Sequence, residues 1–156
     1  MHASVNIHAS CVRVGRSGIL LLGKSGAGKS DLALRLIGRG AVLVADDRTL
    51  LAIERGILVA RVPPQIAGMI EVRGVGLLPM RHTSSAQIVL VVDLVAKVER
   101  LPAPKVFRPP KPLSMPPGAR PRLIALDAFE TSAADKILAV LAALRHNAAR
   151  RSVKYI

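Results

Sequence analysis

The stretch Gly23, Lys24, Ser25, Gly26, Ala27, Gly28, Lys29, Ser30 matches G-x-x-x-x-G-K-[ST] without a gap. Its glycines let successive backbone N–H groups turn inward toward phosphate oxygens. A helix that starts at its end adds an N-terminal dipole to that attraction. Lys29 has the reach for the β- and γ-phosphates of a nucleotide, and the Ser30 hydroxyl can ligate magnesium. A short apolar run, Ala41 to Ala45, then ends on Asp46 and Asp47. If these acids only hold a metal, the chain could be any nucleotide hydrolase. If one of them takes a proton from an incoming hydroxyl, the chain moves a phosphoryl group onto an acceptor. Two close carboxylates also raise the pKa of one, which lets the same group return the proton in the reverse reaction. This stretch leaves both readings open.

Other residues of suitable type lie further off. His8 falls on the polar side of an alternating segment. Glu71 and Arg73 lie in the segment Ile-Glu-Val-Arg-Gly-Val-Gly from Ile70 to Gly76. Glu71 has the chemistry of a metal ligand and Arg73 that of a phosphate clamp. Gly74 and Gly76 would permit a close backbone approach. Each has a plain reading beside it: a surface histidine, and an edge strand with a solvated ion pair. Arg100 ends a polar stretch and carries no signal by itself.

These residues need elements to hold them. Val5 to Val14 sets Val5, Ile7, Ala9 and Cys11 against Asn6, His8 and Ser10, a period-two strand. Gly15 to Gly18 reads as a hairpin turn, and Ile19 to Leu22 as a buried strand leading into the glycine loop. Leu32, Ala33, Leu36 and Ile37 have helical spacing within Ser30 to Arg39, and Gly40 ends that helix. Ala41 to Ala45 follows as a strand, expected beside the strand of the glycine loop, with Asp46 and Asp47 at the C-terminal edge where ligands bind. Leu50 to Ile53 and Ile57 to Arg61 form a second hairpin, and Ile88 to Leu94 is a strongly apolar strand. Leu101 to Pro121 holds eight of the eleven prolines and is expected to be rigid and irregular. Leu123 to Leu126 reads as a last strand, and Ser132 to Ala149 as a helix with Ser132 at its N-cap. No repeat and no second domain emerge, so residues 1–156 read as one domain.

Composition bounds the function. The chain has 156 residues, enough for one domain with a real core, and 51% of them are hydrophobic but only 2% aromatic. No apolar run approaches the roughly 18–20 residues of a membrane span, and no secretory signal is recognisable at the start. One cysteine, Cys11, fits a reducing compartment, so the cytoplasm is expected. The net charge of +13 favours an anionic partner. Phe107, Phe129 and Tyr155 are too few and too scattered for a base-stacking platform of the kind nucleic-acid binders use, which argues against nucleic acid.

Together, the glycine loop, the "LALRLIGRGAVLVADDR" segment and "IEVRGVGLL" make the chain resemble the bacterial HPr kinase/phosphorylase family from Ile7 to about Leu101. The likeness is to its short, catalytic-domain-only members in α-proteobacteria. It implies an α/β, P-loop kinase-like domain of the phosphoenolpyruvate-carboxykinase type, a mixed sheet with flanking helices. It implies ATP and magnesium as cofactors and an HPr-like phosphocarrier, phosphorylated on a serine, as partner. Residue by residue, His8 resembles the family's histidine on the strand before the P-loop. Lys29 matches the P-loop lysine and Ser30 the magnesium-binding serine. Asp47 matches the residue that takes the proton in phosphorylation and gives it back in dephosphorylation. Glu71 matches a second metal ligand, and Arg100 resembles an arginine in a segment after the long central strand. The family's P-V-x-x-G-R-N-L loop, tied to dephosphorylation, is reduced here to "PPGARPRL" with Gly118 and Arg120 in the nearest places, which leaves phosphorylase activity open. The family's usual assembly implies a homo-oligomer, a hexamer in its typical form. The resemblance leaves the donor, ATP or pyrophosphate, undecided. A small-molecule kinase and a nucleotide-binding ATPase are the rival classes, and the adjacent aspartates with the "EVRGVG" segment speak against both.

Overall fold

The computed structural model describes residues 3–150. Met1, His2 and residues 151–156, which include Tyr155 and part of the basic tail, lie outside them. The chain opens on a hairpin of β1 (Ser4–Val14) and β2 (Ser17–Leu22). The glycine loop follows, then α1 (Lys29–Ile37), β3 (Val42–Ala45), β4 (Arg48–Glu54) and β5 (Ile57–Arg61). A separate hairpin, β6 (Met69–Val72) with β7 (Gly76–Pro79), precedes β8 (Ser85–Leu94). The proline-rich segment contributes only the two-residue β9 (Lys105–Val106) and a short 3-10 turn before β10 (Arg122–Leu126) and α2 (Ala133–Arg150).

The main sheet runs β2-β1-β4-β5-β8-β10-β9, and β8 also pairs with β2. Strands β2, β1, β4, β5 and β8 therefore close a ring, with β10 and β9 continuing the sheet from β8. The alternation in β1 sorts its side chains between two cores. Ala9 and Cys11 pack with Leu20, Val44, Leu51, Leu58 and Val91, and the proline segment closes that face with Phe107, Leu113 and Met115. Val12 joins Ile19, Leu21, Leu90 and Val92 on the other face, under Leu32, Ala33 and Leu36 of α1 and Ile137 and Leu141 of α2. Ile19, Leu20 and Leu21 read as an unbroken apolar run because both faces of β2 are covered.

The structure corrects one expectation. Strand β3 does not lie beside β2; it pairs with β1 through Cys11, Val12 and Arg13. The tight turn after Val14 folds β1 directly against β2 along its length, so that edge of β2 is taken before β3 is reached. Both β2 and β3 run antiparallel to β1, and hence parallel to each other. The end of β3 therefore still arrives at the same sheet edge as the glycine loop. β8 is parallel to β2, and β10 to β8, so their C-terminal ends reach that edge too.

Candidate active site

The glycine loop turns sharply where only glycine is unstrained. Gly26 has φ 84° and Gly28 has φ 97°, in the left-handed region. A Cβ on Gly28 would also lie 2.8 Å from the Cβ of Ala128. Lys29, the first residue of α1, is buried, and its Nζ donates to the carbonyls of Gly23 (2.6 Å) and Lys24 (3.2 Å). Burial holds its pKa below the ordinary lysine value, and the charges of Asp47 and Asp46 work in the opposite direction.

Asp46 and Asp47 are adjacent and have different surroundings. Asp46 is 7% exposed. Its Oδ1 accepts from the hydroxyls of Ser30 (2.6 Å) and Ser10 (3.0 Å), and its Oδ2 from the backbone N–H of Glu71 (3.0 Å). This carboxylate ties α1, β1 and β6 together. Asp47 has φ 67°, a conformation that aspartate tolerates better than most residues. Its N–H donates to Ser10 Oγ at 3.0 Å, and its carbonyl accepts from Ala9 N–H at 3.0 Å. Its side chain is 60% exposed and takes a hydrogen bond from His8 Nε2 at 2.5 Å. His8 and Ser10 share one face of β1, two residues apart. One strand face thus positions both acids.

A cleft of about 310 Å³ lies over these groups, walled by Gly28, Lys29, Ser30, Asp47, Glu71 and Arg73 among others. Glu71 and Arg73 reach it from the β6–β7 hairpin. Besides the glycine loop itself, the cleft and its rim thus bring together six of the residues the sequence singled out: His8, Lys29, Ser30, Asp47, Glu71 and Arg73. Arg100 is not among them; it is exposed on the segment between β8 and β9 and does not line the cleft.

The donor set suits a hard cation. Ser30 Oγ and Asp46 stand in contact at the start of α1, with Asp47 and Glu71 on the cleft wall. Among the described residues no group of three or more His, Cys, Asp or Glu side chains could cage a metal unaided. A hard cation held there would therefore need phosphate oxygens and water to complete its shell. For a nucleotide, the glycine-permitted turn ahead of the α1 N-terminus has the shape of a phosphate cradle.

Three features escaped the sequence reading. Ser10 looked like a solvated polar position, yet it is fully buried and relays Asp47 N–H to Asp46. Asp46 is the organising carboxylate of the pair. Phe129 lines the cleft from the turn before α2, and no motif marks it.

Comparison with known proteins agrees with the likeness noted above. The HPr Serine kinase C-terminal domain family matches residues 1–103. HPr kinase/phosphorylase of Bordetella petrii is 41% identical over 112 residues, covering 64% of this chain and 36% of its own. That of Leptothrix cholodnii is 40% identical over 125 residues, covering 71% and 37%. That of Peptoclostridium acidaminophilum is 39% identical over 100 residues, covering 62% and 32%. The chain thus spans about a third of the length of the curated relatives it matches. The fold resembles the HPr(Ser) kinase/phosphatase structure from Coxiella burnetii with a TM-score of 0.71 at 21% identity, over 95% of this chain and 99% of that one. The family match covers well over half of the chain, and the chain belongs to the HPr Serine kinase C-terminal domain family.

Proposed function

We propose that this chain is a P-loop, phosphoenolpyruvate-carboxykinase-like catalytic domain that moves the γ-phosphoryl group of ATP onto a serine hydroxyl of an HPr-like phosphocarrier in the cytoplasm. The observation that carries the reading is Asp47: an exposed carboxylate at a strand end, oriented by His8 at 2.5 Å, in the wall of a cleft that also holds the glycine loop. Serine phosphorylation needs a base there, because the hydroxyl must lose its proton as it attacks. Asp47 takes that proton as the serine Oγ–P bond forms and the bond from phosphorus to the β,γ-bridging oxygen breaks, leaving ADP. His8 Nε2–H holds the carboxylate oriented through the step. The loop N–H groups and Lys29 carry the donor phosphates, and Arg73 faces the same space as a clamp on charge. Ser30 and Glu71 would hold magnesium, which would supply charge neutralisation at the donor phosphates when bound. Arg100, expected from the resemblance as a site residue, lies outside the cleft wall and is given no part in this step. In the reverse direction a protonated Asp47 returns the proton to serine, which is the chemistry a phosphorylase activity would use.

The test is direct. The chain is incubated with labelled ATP, magnesium and an HPr-like carrier, and the label is mapped by mass spectrometry. Label on one serine is expected, and Asp47→Asn should lower the rate by about 10²–10⁴-fold, the range for a positioned acid–base group. An undiminished rate in folded Asp47→Asn would refute the base. Binding of ATP without label on any carrier serine would move the function to a different acceptor.

A further inference from the structure

The end of the cleft away from Asp47 is built by another part of the sheet. Asp46 and Asp47 follow β3, which reaches β2 through β1. The turn from Asp127 to Glu130 follows β10, which reaches β2 through β8. The two turns therefore flank the glycine loop from opposite sides. The second turn carries Phe129, which is 66% exposed and borders the cleft beside Gly26 and Gly28. The chain has two phenylalanines and no tryptophan. The other phenylalanine, Phe107, is 9% exposed in the core.

The turn is held in place. Phe129 N–H donates to Asp127 Oδ1 at 2.9 Å. Arg35 of α1 donates to the carbonyls of Ala128 and Glu130. Ala128 is 1% exposed, and the edge of the Phe129 ring would lie 3.3 Å from a Cβ built on Gly28. The backbone of the turn is thus pinned beside the glycine loop, with the Phe129 ring next to Gly28 and most of its surface open. A pinned backbone beneath an exposed aromatic lowers the ordering cost of stacking a ligand on it.

We propose that Phe129 is the platform on which the base of the phosphoryl donor stacks, so that the cleft prefers a nucleoside triphosphate to an inorganic polyphosphate. The inference rests on reading the glycine loop as the phosphate site. With the transferable phosphate between Lys29, Ser30 and Asp47, the rest of the donor runs along the start of α1 toward this turn. Every base has a π-face, so ATP and GTP should both gain from the ring.

The test compares ATP and tripolyphosphate, each with magnesium, by calorimetric titration of the full chain. Phe129→Ala should bind ATP about tenfold more weakly, within the range for one base–aromatic stack, and tripolyphosphate as before. Phe129→Trp should keep the ATP affinity. As the sole tryptophan in the chain, it should change its fluorescence with ATP and not with tripolyphosphate. That second variant decides the matter if the alanine variant folds poorly. Equal loss for both ligands, no loss for either, a loss confined to the acceptor protein's KM, or a tryptophan indifferent to ATP would each overturn the stack. If the unaltered chain binds neither ligand, the phosphate-site reading falls and the stack with it. If it binds both equally and Phe129→Ala changes nothing, the stack alone falls.

Discussion

Replacing each of the two adjacent aspartates by asparagine should separate stability from chemistry. Asparagine keeps the shape of the side chain and exchanges one acceptor oxygen for an NH2 donor. At Asp46, Oδ1 receives two hydroxyl donors and Oδ2 one backbone N–H, and the residue is 7% exposed. If the amide keeps its oxygen toward Ser10 and Ser30, its NH2 faces the Glu71 N–H, donor against donor. The opposite placement requires both serines to turn, yet Ser10 Oγ already accepts from Asp47 N–H. Either way one donor is left unpaired in the interior, which costs about 1–3 kcal/mol. At roughly 3 °C per kcal/mol for a chain of this size, Asp46→Asn should melt about 3–9 °C lower. Asp47 has a 60% exposed side chain with His8 as its partner, and surface changes of that kind stay within about 0.5 kcal/mol. Urea unfolding of both variants reads the difference, and hydrogen exchange at the Glu71 amide should quicken in Asp46→Asn. A stability loss at Asp47 equal to that at Asp46, or none at Asp46, would refute the division.

Two further outcomes follow from the loop. Gly28→Ala places a Cβ at φ 97° and 2.8 Å from Ala128, while Gly56→Ala meets an open site at φ 78°. Both carry the left-handed cost of about 1–2 kcal/mol, so urea unfolding should show the extra crowding only at Gly28, and tripolyphosphate binding should fall only there. Burial holds Lys29 below its ordinary 10.5 against the opposing charges of Asp47 and Asp46, so just below that pH the unfolded chain binds more protons than the folded one. Stability relative to Lys29→Met should therefore rise as pH climbs toward 10.5; urea midpoints across that range check it, and a flat difference would mean the ammonium is not desolvated.

What could be read before folding was mostly local. The strand, glycine loop and helix from Ile19 to Gly40 show in spacing alone, because turn chemistry and helical period act over a few residues. The partner of β3 did not show. β1 gives one edge to β2 and shares the other between β3 and β4, with a shift in register between Cys11 and Val12, and nothing near Ala41–Ala45 encodes that choice. Ser10 was hidden for a related reason. A polar residue in an alternating strand looks solvated until the element that covers it is known, and here the cover is Asp46, from 36 residues away. Phe129 has no periodic neighbours to give it away. Arg100 was singled out by resemblance and not by a property of its own surroundings, and its place outside the cleft wall fits that origin.

The insertion of β1 between β2 and β3 is also what makes the paired aspartates usable. In a straight strand two consecutive side chains leave by opposite faces, so one acid of the pair would be lost to the other core. The left-handed turn at Asp47 breaks that alternation. Asp46 then meets Ser10 and Asp47 meets His8, on the same face of the same antiparallel strand. Because Ser10 accepts from the Asp47 backbone and donates to the Asp46 carboxylate, the strained turn and the buried acid share one hydroxyl. The exposed carboxylate therefore inherits its position from a rigid, buried neighbour, while its own partners leave its surface open to an incoming group. A polar face on β1 that a hairpin alone would have left in water becomes the surface on which the two acids are sorted, one toward structure and one toward the cleft.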